Sequence, residues 1–232
     1  MQELEREIAM GLLDDLKKQA DLVKTQQILE QNLQGDKVKL VEDKMKQTFQ
    51  YVHELLKQLA VLKPTSPLVY AIPSVGEFRN LAFTESFIDY RRKRIKDKEY
   101  FDTIHFFIKW ASPETIVIEK DMPPAMQQIR ESLWLSKVKF IEEEKKNARG
   151  FVVGAKFIVP AAVLTDIVVK ADHEQGRLVF QATHIFGLGV EQFIVPAPEI
   201  SDDMLEDFAK ALIGQQSQIR KYRVAGKPGS LR

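Results

Sequence analysis

Residues 38–62 read VKLVEDKMKQTFQYVHELLKQLAVL. Val38, Met45, Val52 and Leu59 recur at intervals of seven, and Val41, Leu55 and Leu62 belong to a second such series, with Thr48 filling its gap. On a helix the two series form one apolar stripe, and roughly three to four heptads of this kind argue for coiled-coil packing. A self-association seam is therefore expected along Val38, Val41, Met45, Val52, Leu55, Leu59 and Leu62.

Toward the N-terminus, Leu4, Ile8, Leu12 and Leu16 recur every fourth residue, and Val23, Leu29 and Leu33 continue that stripe less cleanly. Residues 24–34 are polar and Gln-rich, so packing there should be weak. No proline precedes Pro64. Gly35-Asp36 is the one possible break, since Gly suits the position just past a helix end and Asp is a good N-cap. Two arrangements remain open: a helical hairpin turning at Gly35-Asp36, or a continuous helix of roughly 90 Å at 1.5 Å per residue. Charged residues persist on both sides without a loop-like cluster, which favours the continuous form.

Lys63-Pro64-Thr65-Ser66-Pro67 stops the helix, because two prolines so close together forbid its continuation. Beyond it the pattern alternates. Residues 83–95 and 100–110 flank the polar turn Lys96-Asp97-Lys98-Glu99 and read as a long hairpin. A short strand at 115–119 follows the Ser112-Pro113-Glu114 turn. Next comes a helix with Asp121 as its cap and Pro123 or Pro124 in its first turn. Alternation resumes at 134–142, and Asn147-Ala148-Arg149-Gly150 has the chemistry of a hairpin turn. Phe151, Val153, Ala155, Phe157 and Val159 share one apolar face. Strands at 163–171 and 177–186 flank Asp172-His173-Glu174-Gln175-Gly176, and a last strand spans 189–195. Ser201 caps a final helix, with Asp202 and Asp203 at the positive end of its dipole and Ile200 and Leu205 spaced for a hydrophobic staple.

The expected fold class is α+β: an N-terminal coiled coil or helical hairpin, then a largely antiparallel β-sheet domain with a C-terminal covering helix. The expected division is a helical segment at 1–63, a Pro-rich linker at 64–67, the sheet domain at 68–214 and a basic, flexible tail at 215–232.

The 232 residues are 44% hydrophobic and 29% charged, with a net charge of +1. A near-neutral chain has no global attraction for nucleic acid or anionic membrane, so any such binding needs a local patch. There is no cysteine, which rules out disulfides, thiolate metal sites and a cysteine nucleophile and fits a reducing compartment. The acidic start, Met1-Gln2-Glu3-Leu4-Glu5-Arg6-Glu7, lacks the apolar run of a secretory leader. The most apolar stretch, 151–171, is interrupted by Lys156, Pro160, Asp166 and Lys170, a poor pattern for a membrane span. A cytoplasmic protein without membrane association is expected.

Motifs for chemistry are sparse. Gly187-Leu188-Gly189 lacks the third glycine and the following helix of a dinucleotide loop, and Gly226-Lys227-Pro228-Gly229-Ser230 has Walker-type residues in the wrong order. The histidines His53, His105, His173 and His184 lack metal-site spacing, and no metal or cofactor is implied. His105 falls on the polar phase of its strand, and Asp166 reads most simply as solvent-facing. His184 falls on an apolar phase; a satisfied structural histidine is the plainer reading, and a pocket lined by His184 and Trp110 is the sharper one. Nothing points to an enzyme. The strongest charge feature is Arg91-Arg92-Lys93-Arg94-Ile95-Lys96 among Phe87, Tyr90, Tyr100 and Phe101. With Arg220, Lys221 and Arg223 it makes a candidate nucleic-acid contact, against the alternative of a solvated hairpin edge. The leading expectation is a non-enzymatic, homo-oligomeric scaffold or adaptor that presents its sheet domain to a protein partner. Nucleic-acid binding and small-ligand binding are the alternatives.

Overall fold

The computed structural model describes residues 2–95 and 97–224, with the side chains of 2–15, 27–31 and 95 set aside. Helix α1 runs unbroken from Gln2 to Leu62, straight through Gly35. It stops where Lys63 turns to positive φ, just before Pro64. A small hairpin follows, β1 (Tyr70–Ile72) with β2 (Gly76–Phe78). The main sheet is built from β3 (Ala82–Ile95), β4 (Lys98–Lys120), β5 (Ile141–Lys146), β6 (Val152–Asp172), β7 (Arg177–Thr183) and β8 (Val190–Pro196). Helix α2 (Pro123–Leu135) lies between β4 and β5, and α3 (Asp202–Leu212) follows β8. The class is α+β, and every strand pairing in the sheet is antiparallel.

The strand order is β3-β4-β6-β7-β8, with β5 on the free edge of the first half of β6. Strands β4 and β6 are far longer than the expected pieces. Residues 112–114 do not separate two strands; they bulge out of one continuous β4 between the Ala111–Ala162 and Thr115–Pro160 pairs. Pro160 likewise interrupts nothing: it pairs beside that bulge, where the ladder is already irregular and a missing N–H is tolerated. The expected strand over 134–142 is also corrected. Helix α2 continues to Leu135, and β5 begins only at Ile141. Asp121 does not cap α2; Met122 holds that position, with no side-chain cap bond.

Alternation gives the sheet two unlike faces. Ile104, Phe106, Ile108 and Trp110 of β4 are buried, as are Phe157, Val159, Val163, Ile167 and Val169 of β6, and Leu178 and Phe180 of β7. Helix α3 covers part of this inner face, with Phe208 edge-on to Phe106 and Phe180 at 6.4 and 5.1 Å between ring centroids. The Ser201 hydroxyl accepts from the Met204 N–H, as the capping pattern requires, and Ile200 and Leu205 are both buried.

The C-terminal half of α1 covers the rest. Val41, Met45, Thr48, Val52, Leu56 and Leu59 are buried, a stripe at helical spacing turned onto the sheet. Phe49 packs against Tyr90 and Phe101, the Glu42 carboxylate accepts the Phe101 N–H at 2.6 Å, and Gln47 donates to Asp202 at 2.8 Å. The linker is also folded in. Ser66 N–H donates to Leu81 O, the Phe83 N–H donates to Pro64 O, and a Cβ on Gly214 would strike Pro67 and Leu68. Residues 64–67 therefore end the helix and pack against Leu81, Phe83 and Gly214.

Met45→Ala is expected to lower unfolding free energy by about 2–5 kcal/mol in denaturant titrations, the range for emptying a packed apolar site. Val61→Ala, on an exposed position of the same helix, should stay within about 0.5 kcal/mol. Equal effects would contradict the docking of α1.

Candidate functional site

The expected seam lies largely on the chain's own sheet. Val41, Met45, Val52 and Leu59 are buried there; Val38 and Leu55 are half-buried, and Leu62 is exposed at the helix end. The heptads are real, but the partner they meet is an apolar sheet face in the same chain. Among the described side chains, the part of α1 without a partner lies in the other half. There the last ties to the domain are Gln34, which donates to the His173 carbonyl at 3.4 Å, and Lys37, whose side chain lies over Gly176. N-terminal to these, α1 projects for roughly 50 Å at 1.5 Å per residue. Every described side chain from 16 to 26 is exposed, including Leu16 (52%), Leu22 (64%) and Val23 (50%), and Leu33 is 54% exposed. Leu4, Ile8, Leu12 and Leu29 lie outside the described side chains.

The basic residues fall into two groups. Arg91, Arg92, Lys93 and Arg94 lie on β3, an edge strand; Lys96 is outside the described residues. Lys93 pairs with Asp102 at 3.2 Å, Arg94 with Asp97 at 3.7 Å, and the Arg92 guanidinium lies over the Phe101 ring. Arg220, Lys221 and Arg223 sit against β8, the opposite edge. Arg223 pairs with Glu191, Arg220 lies over Phe186 at 4.2 Å, and Ile219 is buried. The segment 215–224 is thus docked where a free tail was expected, and the two basic groups do not form one patch. Residues 225–232 lie outside the described residues.

Trp110 and His184 are in the core and line neither of the two surface clefts considered below. Trp110 Nε1 donates to Thr165 Oγ1 at 3.2 Å, and that hydroxyl donates to the His184 carbonyl. The His184 Nδ1 accepts the Gly189 N–H at 3.0 Å, so its neutral ring carries the proton on Nε2. Burial, helped by the charge of Lys137, lowers its pKa from 6.5 to about 4. The bonds from residue 189 also hold His184 at φ 63°, a left-handed conformation.

The open face of the sheet carries what the sequence reading missed. His105 and Asp166 both point away from the core, and their side chains meet at 2.6 Å across β4 and β6. Phe87 stacks on Phe107 at 5.7 Å and meets the His105 ring edge-on. A shallow cleft of about 340 Å³ opens beside the pair, between Arg91, Thr103 and Lys170 on one row and Asp89, His105 and Val168 on the next. Sequence phase placed His105 and Asp166 individually on the outer face, but their meeting depends on strand register, for which no local signal exists. A second cleft, of about 460 Å³, lies between α3 and residues 218–222 and is rimmed by Glu199, Asp203, Glu206 and Asp207. Among the described residues no cluster of His, Asp and Glu is arranged to hold a metal ion, and no helix is long and apolar enough to cross a membrane.

His184 stays neutral in the fold but takes up a proton once unfolded below pH 6.5. Its contribution to stability is complete above pH 6.5, falls as pH drops toward 4, and levels off below that. The full loss is on the order of 3 kcal/mol. Denaturant midpoints across that window should show this slope, and His184→Asn, which tolerates positive φ, should flatten it.

The chain matches no protein-family model, no curated protein and no solved structure.

Proposed function

We propose that this chain is a non-enzymatic, self-associating scaffold that assembles through the projecting half of α1 and displays its sheet domain to a protein partner. The observation that carries this reading is the division of α1 into two halves. The 41–59 stripe is buried on the sheet, whereas Leu16, Leu22, Val23 and Leu33 stand exposed on a helix with no neighbour among the described residues. Most helical stability in proteins comes from packing an apolar face, so a bare helix gains by burying these side chains against another.

Exposed apolar side chains at the other end of the domain support the display role. Trp134 and Leu135 end α2 fully accessible, and Val117, Ile158 and Ile141 form one row across β4, β6 and β5 on the open face. Exposed apolar groups that cluster mark docking surfaces. Nucleic-acid binding has less support, because the basic groups on β3 and beside β8 are separated by the width of the sheet.

Sedimentation of the full chain at micromolar concentration should give an assembly. The triple change Leu16→Lys, Val23→Lys, Leu33→Lys should return it to a monomer with unchanged near-UV circular dichroism. A monomeric wild-type chain would sink the scaffold reading.

A further inference from the structure

The open face of the sheet points to a second activity, independent of assembly. We infer that the cleft beside His105 binds a small organic anion, its carboxylate or phosphate head held between Arg91 and Lys170 above Thr103, its apolar body lying toward Val168 and the Phe87–Phe107 stack.

Register supplies the geometry. Arg91, Thr103 and Lys170 are direct neighbours on β3, β4 and β6. Two strand spacings separate the cations, about 9–10 Å between backbones, so both long side chains reach one anion from opposite sides while the Thr103 hydroxyl lies between them. The ladder slips by one residue on β4 between the Arg91–Thr103 and Arg92–Phe101 pairs, leaving Asp102 as the extra residue. A bulge of this kind re-aims side chains, and here it brings Asp102 to the rim of the cleft beside Thr103.

The two cations that lack partners set the sign of the ligand. Asp102 is occupied by Lys93 at 3.2 Å and by the Thr103 hydroxyl at 3.2 Å. Asp166 meets the His105 ring, a contact that offsets its charge only when that ring is protonated. Asp89 uses one oxygen to accept the Tyr90 N–H at 2.7 Å. Arg91 and Lys170, in contrast, have no ion pair or hydrogen bond among the described residues. Two cations without a partner thus share the cleft with Asp89 and, one row further on, Asp166. Asp89 also limits the ligand: a polyanion would meet it repeatedly, whereas a single head group can sit on the Arg91–Thr103–Lys170 row and avoid it. That favours a small anion over a nucleic-acid strand.

The neighbouring rows supply an apolar bed. Val168 forms part of the cleft floor, Val179 and Ile194 continue the row beyond Lys170, and Phe87 is exposed beyond His105. An ion with no body would gain only screened attraction at such an open site, so an aromatic or aliphatic body should add affinity.

The probes are inorganic phosphate, phenyl phosphate and benzoate, titrated into the full chain while backbone amide shifts are followed. Saturable shifts at Thr103, His105 and Val168 are expected below about 10 mM, with at least one of the two aromatic anions binding more tightly than inorganic phosphate. Preference for phenyl phosphate assigns a phosphate head, and preference for benzoate a carboxylate. Arg91→Glu and Lys170→Glu should each weaken binding by about three- to tenfold, and Asp89→Asn should strengthen it. Arg149→Glu makes the same change in net charge in the β5–β6 turn and should have no effect. Absence of saturable binding, equal weakening by Arg149→Glu, or insensitivity to Arg91→Glu and Lys170→Glu would overturn the site. Inorganic phosphate binding as tightly as both aromatic anions would overturn the apolar bed.

Discussion

The burial of the 41–59 stripe of α1 on the inner face of the sheet is the contact on which the rest of the molecule depends. That face is lined by Phe106, Trp110, Phe157, Phe180 and Phe193, all buried. Each such side chain contributes roughly 1.5–3 kcal/mol only if water is excluded from it. Helix α3 has 11 residues, about 16 Å of cover at 1.5 Å per residue, too little for strands as long as β4 and β6. The C-terminal half of α1 supplies the missing cover. Thr48 is admitted to this interface because its hydroxyl donates to the Lys44 carbonyl one turn back.

Docking one half of a rigid helix also determines what happens to the other half. The backbone is helical throughout 2–62, so fixing the direction of 41–59 fixes the direction in which the N-terminal half leaves the domain. Glu42 on the Phe101 N–H, Gln34 on the His173 carbonyl and Lys37 over Gly176 all lie at the point of exit. They tie α1 to the tip of the β3–β4 hairpin and to the β6–β7 turn. His173 reinforces the junction from within, its Nε2 donating to the Phe101 carbonyl at 2.9 Å. The projection is a continuous helical extension of the core.

The two faces of the sheet separate stability from chemistry. Polar groups on the inner side are few: Trp110, Thr165 and His184 form one connected chain of hydrogen bonds, while His173 keeps its buried Nδ1 without a partner among the described residues. The outer side holds the cross-strand pair His105–Asp166, the bulged Asp102 and the two free-standing cations Arg91 and Lys170, all in contact with water. His184 is buried, and its Nδ1 accepts a hydrogen bond from Gly189 within its own loop.

The local features of this protein were legible in its sequence. Ser201 and Ile200 announced α3, Asn147 to Gly150 and Asp172 to Gly176 announced two hairpin turns, and the heptads of 38–62 announced a helix with one greasy stripe. These are effects of neighbouring residues on backbone geometry and side-chain phase, so they need no knowledge of the fold. Which surface receives the stripe is a different kind of question. A row of Val, Met and Leu at helical spacing is equally satisfied by another helix or by a sheet, because burial is not directional. Only the assembled sheet, with its inner face otherwise uncovered, decided in favour of the intrachain partner and left Leu16, Leu22, Val23 and Leu33 exposed. The same holds for Arg91, Thr103 and Lys170: distant in sequence, they become neighbours through strand register, a property of the whole ladder and of no single segment.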